Sequence, residues 1–249
     1  MLFRSRRQGC GQVQSLVVFI NLIDILHKIR CDDQQFFIDA DQDNPHHNNA
    51  TAIAGAGGTI MPLTLFEKIW NRHVVVEEEG ELLLHVDRAF FHEGSSHAFA
   101  KLEQQGRTIA RPKQVFAFND HYVPTTGRDK GVNGIVNGEI RNMVIQLQTN
   151  AERHGITLFG IDDPRQGILH IVPPEQGITQ PGLLICGADS HTSTHGAFGT
   201  LAFGIGASDM MHVMATQTIW QRAQKTLRIR VDGTLGFGVS PKDVILAII

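Results

Sequence analysis

Apolar residues recur at helical spacing in several stretches of the chain, and each stretch begins or ends at a capping residue. Thr64 and Glu67 have the spacing of a capping box, which predicts a helix that begins at Leu65. Similar stripes and caps predict four further helices, over 95–106, 139–154 and 208–224 and from Ser240 onward.

Short apolar runs bounded by glycine or polar residues lie between these helices. Runs of this length are typical of strands, either fully buried or, where polar residues alternate, half-exposed. They predict strands over 82–86, 115–118, 156–159, 168–172, 183–186 and 227–231. Because helices alternate with strands along the chain, the pattern predicts an α/β fold.

Residues 1–60 have a different composition, rich in Asp and Asn and ending in a tract of Ala and Gly. Such a composition supports no packed core, so we predict a disordered or non-homologous extension with Met61 as the natural start. A targeting segment is the alternative, because a basic start precedes the short apolar stretch Leu16–Leu26. That stretch is broken by Asn21 and Asp24, which makes it too short and too polar to span a bilayer.

Composition and charge narrow the classes of function. The chain of 249 residues is long enough for one large or two ordinary domains. A formal net charge of -3 gives no reason to expect binding to nucleic acid or to a membrane. Three cysteines, Cys10, Cys31 and Cys186, lie far apart and form no C-x-x-C pair, so no zinc site or complete iron–sulfur ligand set is visible.

Histidines lie beside carboxylates or hydroxyls at three places in or directly after the predicted strands. These are Asp120-His121 after 115–118, His170 within 168–172, and the loop Asp189–His191 after 183–186. A carboxylate fixes the tautomer of a neighbouring imidazole, which makes an Asp–His unit a good general acid for a poor leaving group. His170 alone is equally typical of a hydrogen-bonded core histidine. Ser190 lacks a G-x-S-x-G elbow, which argues against a serine hydrolase.

Longer segments around these residues carry a family resemblance. The chain resembles the 3-isopropylmalate dehydratase large-subunit family of the aconitase superfamily from about residue 63 to 249. The segments that carry the resemblance are 87–88, 92–93, 120–125, 166–170, 174–177, 189–199, 201–206 and 215–218.

The resemblance implies an aconitase-like three-layer α/β/α fold over 61–249, incomplete at its C-terminal end. It implies a hydro-lyase that interconverts 2-isopropylmalate and 3-isopropylmalate in leucine biosynthesis. His121 would protonate the departing hydroxyl with support from Asp120, while Asp189 and His170 would form a second pair. His191 is a further catalytic candidate that lines the pocket.

Substrate-binding candidates by the same resemblance are Ser190, His97 and Arg88. The family holds a [4Fe-4S] cluster on cysteines that lie later in its sequence, and none of the three cysteines here matches them. We therefore expect no metal ligands in this chain, with the cluster cysteines beyond Ile249, and an inactive chain in isolation. The resemblance also implies a heterodimer with a small subunit that carries a swivelling domain, and a cytoplasmic enzyme.

Two departures leave other functions open. His97 stands where the family usually has glutamine, and Tyr122 stands where asparagine is usual. They favour a related hydro-lyase that acts on homoaconitate or another alkylmalate. A non-catalytic fragment is the alternative from a different class.

Overall fold

The computed structural model describes residues 63–224, 229 and 231–248. The expectations for residues 1–60 therefore lie outside the described residues. The chain divides into two compact units, one over Thr64–Ala223 and another that includes residues 224–248. Among the described residues, no helix has both the length and the apolar character needed to cross a membrane.

The unit over Thr64–Ala223 contains five α-helices and eight strands among its described residues. The helices are α1 (Leu65–His73), α2 (Ser96–Gln104), α3 (Gly138–His154), α4 (Val172–Glu175) and α5 (Ala207–Thr216). The strands are β1 (Val74–Glu78), β2 (Glu81–His85), β3 (Arg88–His92), β4 (Val115–Phe118), β5 (Thr157–Phe159), β6 (Leu184–Gly187), β7 (Leu201–Gly204) and β8 (Thr218–Gln221).

A parallel five-stranded sheet organises this unit, with the strand order β5-β4-β3-β6-β7. The chain builds the sheet outward from β3 to β5, then returns to place β6 on the other side of β3. The strand order therefore reverses between β3 and β6, and ligands bind at such reversals in open α/β sheets, outside the carboxyl ends of the strands. A smaller antiparallel sheet has the order β1-β2-β8.

The two faces of the parallel sheet are covered differently. Ala89 and Phe91 of β3 belong to an apolar cluster that includes residues of α2, α3 and α5. Phe90, which points to the other face, packs with Leu169 and Val172 in a second cluster. Both faces are therefore buried, as expected for parallel strands, and the predicted α/β class is confirmed.

The capping residues predicted at helix ends agree with the structure. Thr64 accepts a hydrogen bond from the Glu67 N–H and its own N–H donates to the Glu67 carboxylate, which is the predicted capping box of α1. Asn137 caps α3, and Gly155 ends it in the left-handed conformation at φ 64°. The predicted strand 115–118 coincides with β4.

The predicted helix 208–224 is wrong in its second half. Helix α5 ends at Thr216, because Gln217 adopts the left-handed conformation at φ 60°. The buried Gln217 side chain donates to the Val86 carbonyl at 2.8 Å, and the Val86 N–H donates to the Gln217 carbonyl at 2.9 Å. This pairing turns the chain into β8, so long-range contacts outweigh local helix propensity here.

The unit that includes residues 224–248 contains the helix α6 (Pro241–Ile248). The Ser240 N–H and hydroxyl both donate to the Asp243 carboxylate, at 2.7 and 2.6 Å, which confirms the predicted helix start. The strand predicted over 227–231 is wrong as far as it is described, because Ile229 and Val231 lie in no strand. Leu227 lies outside the described residues.

Candidate functional site

The candidate site lies at the carboxyl edge of the parallel sheet, where β3, β4 and β6 end side by side. Asp120 and His121 follow β4, and Asp189 follows β6. The loop after β6 packs closely against the backbone of Gly204 at the end of β7. A Cβ on Gly204 would lie only 2.5 Å from the carbonyl oxygen of Asp189. The strand order thus brings together residues that are far apart in the sequence.

Asp189 is the centre of a cluster of polar side chains that also contains Asp120, His121, His170 and His191. Its Oδ1 accepts from His170 Nε2 at 2.6 Å and from the His191 N–H at 2.8 Å, and its Oδ2 lies 3.1 Å from His121 Nε2. Burial acts to raise the pKa of this carboxyl, but the His191 N–H and the two imidazoles outweigh it and hold the pKa well below its usual range. Asp189 is therefore ionised at neutral pH.

His121 lies between two carboxylates. Its Nε2 faces Asp189, and its Nδ1 is 3.6 Å from Asp120 Oδ2. The same Asp120 oxygen accepts the Leu169 N–H at 3.1 Å, which anchors the carboxylate. The His121 side chain remains 35% exposed, whereas Asp120 and Asp189 are 10% and 11% exposed. An oriented, accessible imidazole of this kind is suited to general acid–base catalysis.

His170 joins the cluster from a turn and not from a strand, so the predicted strand 168–172 is wrong. The N–H groups of Ile171 and Val172 both donate to the Ile168 carbonyl, which forms a turn that continues into α4. Pro173 lies in the first turn of α4, where its missing N–H costs nothing. The turn buries Leu169 in the core and directs the next side chain, His170, at Asp189.

His191 and Ser190 are solvent-exposed residues around Asp189. The His191 side chain is 80% exposed, and its Nδ1 lies 3.2 Å from the Ser190 hydroxyl and 3.3 Å from Asp189 Oδ1. Both side chains are therefore accessible to a ligand that enters from solvent.

The two remaining predicted substrate residues lie elsewhere. His97 is exposed on the first turn of α2, which follows β3 at the same edge of the sheet. Arg88 begins β3 and so lies at the opposite edge, where its guanidinium donates to the Asp87 carbonyl at 2.8 Å. The structure does not bring Arg88 to the cluster.

Glu93 supports the site, although no pattern in the sequence assigned it a role. Its fully buried carboxylate accepts the N–H groups of Asp120 at 2.7 Å and His121 at 3.2 Å. Burial raises the pKa of Glu93, while these backbone donors act in the opposite direction. Glu93 follows β3 directly, and an acidic residue just after a buried apolar run is a signal that could have indicated this position.

His92 is a second supporting residue, stacked on His121 with ring centroids 4.2 Å apart and planes at 24°. Its Nδ1 accepts the Gly94 N–H at 3.1 Å, so the ring proton lies on Nε2 and donates to the Ala188 carbonyl at 3.1 Å. Burial and the neighbouring His121 lower the pKa of His92. The ring is therefore a neutral, fixed surface behind His121.

These contacts show whether the described residues could bind a metal ion or an iron–sulfur cluster. One nitrogen each of His92 and His121 and an oxygen of Glu93 lie within 4.8 Å of one another. However, both His92 nitrogens and both Glu93 oxygens already have backbone partners, which a cation would have to displace. Among the described residues, Cys186 is the one cysteine, and it is fully buried in the core on β6 with its thiol pKa raised by burial. The described residues therefore do not fit an iron–sulfur cluster, which needs accessible thiolates.

A comparison with protein families agrees with this geometry. The model of the aconitase family (aconitate hydratase) matches residues 67–249, which include both sheets and every residue of the cluster. Members of this family are hydro-lyases, which is the chemistry that a carboxylate-oriented imidazole at a strand edge suits. The chain belongs to the aconitase family.

Proposed function

We propose that this chain is part of the large subunit of a 3-isopropylmalate dehydratase. The reaction is the interconversion of 2-isopropylmalate and 3-isopropylmalate by dehydration and rehydration, a step of leucine biosynthesis. The observation that carries the proposal is His121, held between Asp120 and Asp189 at the reversal of strand order and still accessible.

The proposed chemistry begins with the loss of a hydroxyl group from the substrate. Hydroxide is a poor leaving group, so a positioned acid must protonate it as it departs, which contributes typically 10²–10⁴-fold to the rate. His121 is that acid, since Asp120 and Asp189 orient its ring and His92 supports it from behind. His170 donates its Nε2 hydrogen to Asp189 and so helps to hold this carboxylate in place beside His121.

The proposal includes parts that the described residues do not provide. A [4Fe-4S] cluster, which is typical of the family, would need thiolates from outside the described residues, so no step here is assigned to it. A small subunit with a swivelling domain would complete a heterodimer and supply the base and the arginines. A cytoplasmic location belongs to the same proposal, because a reducing compartment suits thiolate ligands.

The test is an assay of the complete gene product with its small subunit and a reconstituted cluster. We expect turnover of isopropylmalate, with a loss of about 10²–10⁴-fold in kcat for His121→Asn. His85→Asn, at the end of β2 in the small antiparallel sheet, is the matched control and should leave kcat unchanged. No turnover of any hydroxy acid would reject the enzyme and favour a non-catalytic fragment.

A related substrate is the second candidate, because two side chains at this edge of the sheet depart from the family pattern. The Tyr122 ring lies 6.1 Å from the His121 ring and is 40% exposed, and His97 is exposed at the same edge of the sheet. Both are large enough to change which alkyl group the pocket accepts. A preference for homoaconitate or another alkylmalate in the same assay would favour this candidate over isopropylmalate.

A further inference from the structure

A continuous line of hydrogen bonds runs from the cluster into the core. His170 Nε2 lies 2.6 Å from Asp189 Oδ1, and His170 Nδ1 lies 3.3 Å from His195 Nε2. His195 Nδ1 in turn lies 3.0 Å from the Thr179 hydroxyl. The proposed function uses only the first of these contacts. His195 and Thr179 are both buried, and neither touches the accessible part of the site.

The positions of the hydrogens in this line can be deduced by starting from Asp189. Asp189 is ionised and only accepts, so the His170 nitrogen that faces it, Nε2, carries a hydrogen. A neutral His170 then has a lone pair on Nδ1. The group that faces this lone pair must be a donor, and that group is Nε2 of His195.

His195 can supply that hydrogen in one tautomer only. Burial and the neighbouring His170 lower the pKa of His195 to about 4, so the ring is neutral at physiological pH and has a single N–H. The Leu169 carbonyl is a further acceptor for this ring. With the hydrogen on Nε2, Nδ1 is an acceptor, and the Thr179 hydroxyl is the donor that faces it.

We propose that Thr179 and His195 are positioning residues that fix the tautomer and orientation of His170. All three hydrogen bonds then point in one direction, from the Thr179 hydroxyl through His195 and His170 to Asp189. This deepens the proposed function and rests on it for the catalytic consequence: His170 presents its Nε2 hydrogen to Asp189 at every turnover. The arrangement of hydrogens itself does not depend on the reaction.

The packing around His195 keeps the line in place. The ring is fully buried, and its centroid lies 5.2 Å from that of Phe90 on β3. An unpaired polar atom at such a position is costly, so loss of the Thr179 hydroxyl would leave Nδ1 without a partner. Thr179→Val removes the hydroxyl at nearly constant shape, and Thr179→Ser keeps it, which makes them a matched pair.

The first experiment measures the imidazole nitrogen resonances of the full chain, labelled with 15N-histidine, at pH 8. We expect the ring hydrogen on Nε2 in both His170 and His195. The Nδ1 resonance of His195 should move downfield in Thr179→Val, where it loses its donor, and stay in place in Thr179→Ser. A hydrogen on Nδ1 of either ring, a cationic ring, or an unchanged His195 resonance in Thr179→Val would overturn the proposal.

The second experiment measures kcat and KM of the assembled enzyme. We expect Thr179→Val to lower kcat with little change in KM, because the substrate does not touch Thr179, and Thr179→Ser to restore kcat. If the spectra are as expected but kcat is unchanged, the catalytic consequence is wrong. If the assembled wild-type enzyme turns over no hydroxy acid, the proposed function fails, while the spectra still decide the arrangement of hydrogens.

Discussion

Replacement of Glu93 tests whether a buried carboxylate holds the loop that carries His121. Glu93→Gln keeps the shape of the side chain but exchanges one acceptor oxygen for an NH₂ group. One of the two backbone donors, the N–H of Asp120 or of His121, then faces a donor instead of an acceptor. A hydrogen bond to a charged group contributes about 1.5–3 kcal/mol, and the amide avoids part of the cost of burying a charge. We therefore expect a loss of about 2 kcal/mol in the free energy of unfolding.

Glu93→Ala should cost more. It removes every acceptor at once and leaves a cavity, since the wild-type side chain is fully buried, so we expect about 3–5 kcal/mol. Urea unfolding at pH 7 measures both values. Hydrogen exchange at the Asp120 and His121 amides measures the local effect and should accelerate in both variants.

Glu103→Gln is the control, because its carboxylate is 42% exposed and pairs with Arg153 at the surface. We expect a change below about 0.5 kcal/mol for this variant, as for other exposed ion pairs. If Glu93→Gln changes the stability as little as Glu103→Gln and leaves amide exchange at Asp120 and His121 unaltered, Glu93 does not hold the loop.

Three further predictions concern other parts of the same unit. Gly204→Ala should destabilise the chain by about 1–3 kcal/mol in urea unfolding, because its Cβ would overlap a backbone carbonyl. Gly138→Ala, at the first position of α3, is the control and should not, because its Cβ would meet no atom within 4 Å. Burial lowers the pKa of His73, but its 2.6 Å contact with Asp87 outweighs burial and raises that pKa above 6.5. The same contact, together with the Leu184 N–H, lowers the pKa of Asp87 below 3.8, although burial acts to raise it. Asp87→Asn should therefore cost most stability between about pH 4 and 6.5 and less at pH 9, and a cost that grows toward pH 9 would contradict this. Cys186 should resist alkylation in the folded chain and react in urea, as peptide mapping would show; modification under native conditions would mean that the strand opens.

The sequence located the reactive residues better than it located their supports. Asp120, His121 and Asp189 were identified because each follows a buried apolar run, and the ends of parallel strands meet at one edge of a sheet. Glu93 also follows a buried apolar run, but that position does not reveal its function, since its partners are backbone groups 27 and 28 residues away. Such partners become neighbours only once β3 and β4 pair, which no local pattern specifies.

The elements that were missed or misplaced share a physical cause. Strand β8 is short, and in the small antiparallel sheet it pairs with β2, a distant segment of the chain. The apolar run 168–172 has the composition of a strand, yet its backbone closes a turn that buries Leu169 and leads into α4. In each case the contacts that decide the structure are formed by tertiary pairing, which periodicity alone does not contain.

The reversal of strand order also determines when the site comes into existence. The hydrogen bond between His121 and Asp189 joins residues 68 positions apart, one from each wing of the sheet. An intermediate that contains only β3, β4 and β5 would hold His121 in place without its second carboxylate. Only the insertion of β6 beside β3 completes the pair, so the acid–base centre is an all-or-none reporter that both halves of the sheet have folded together.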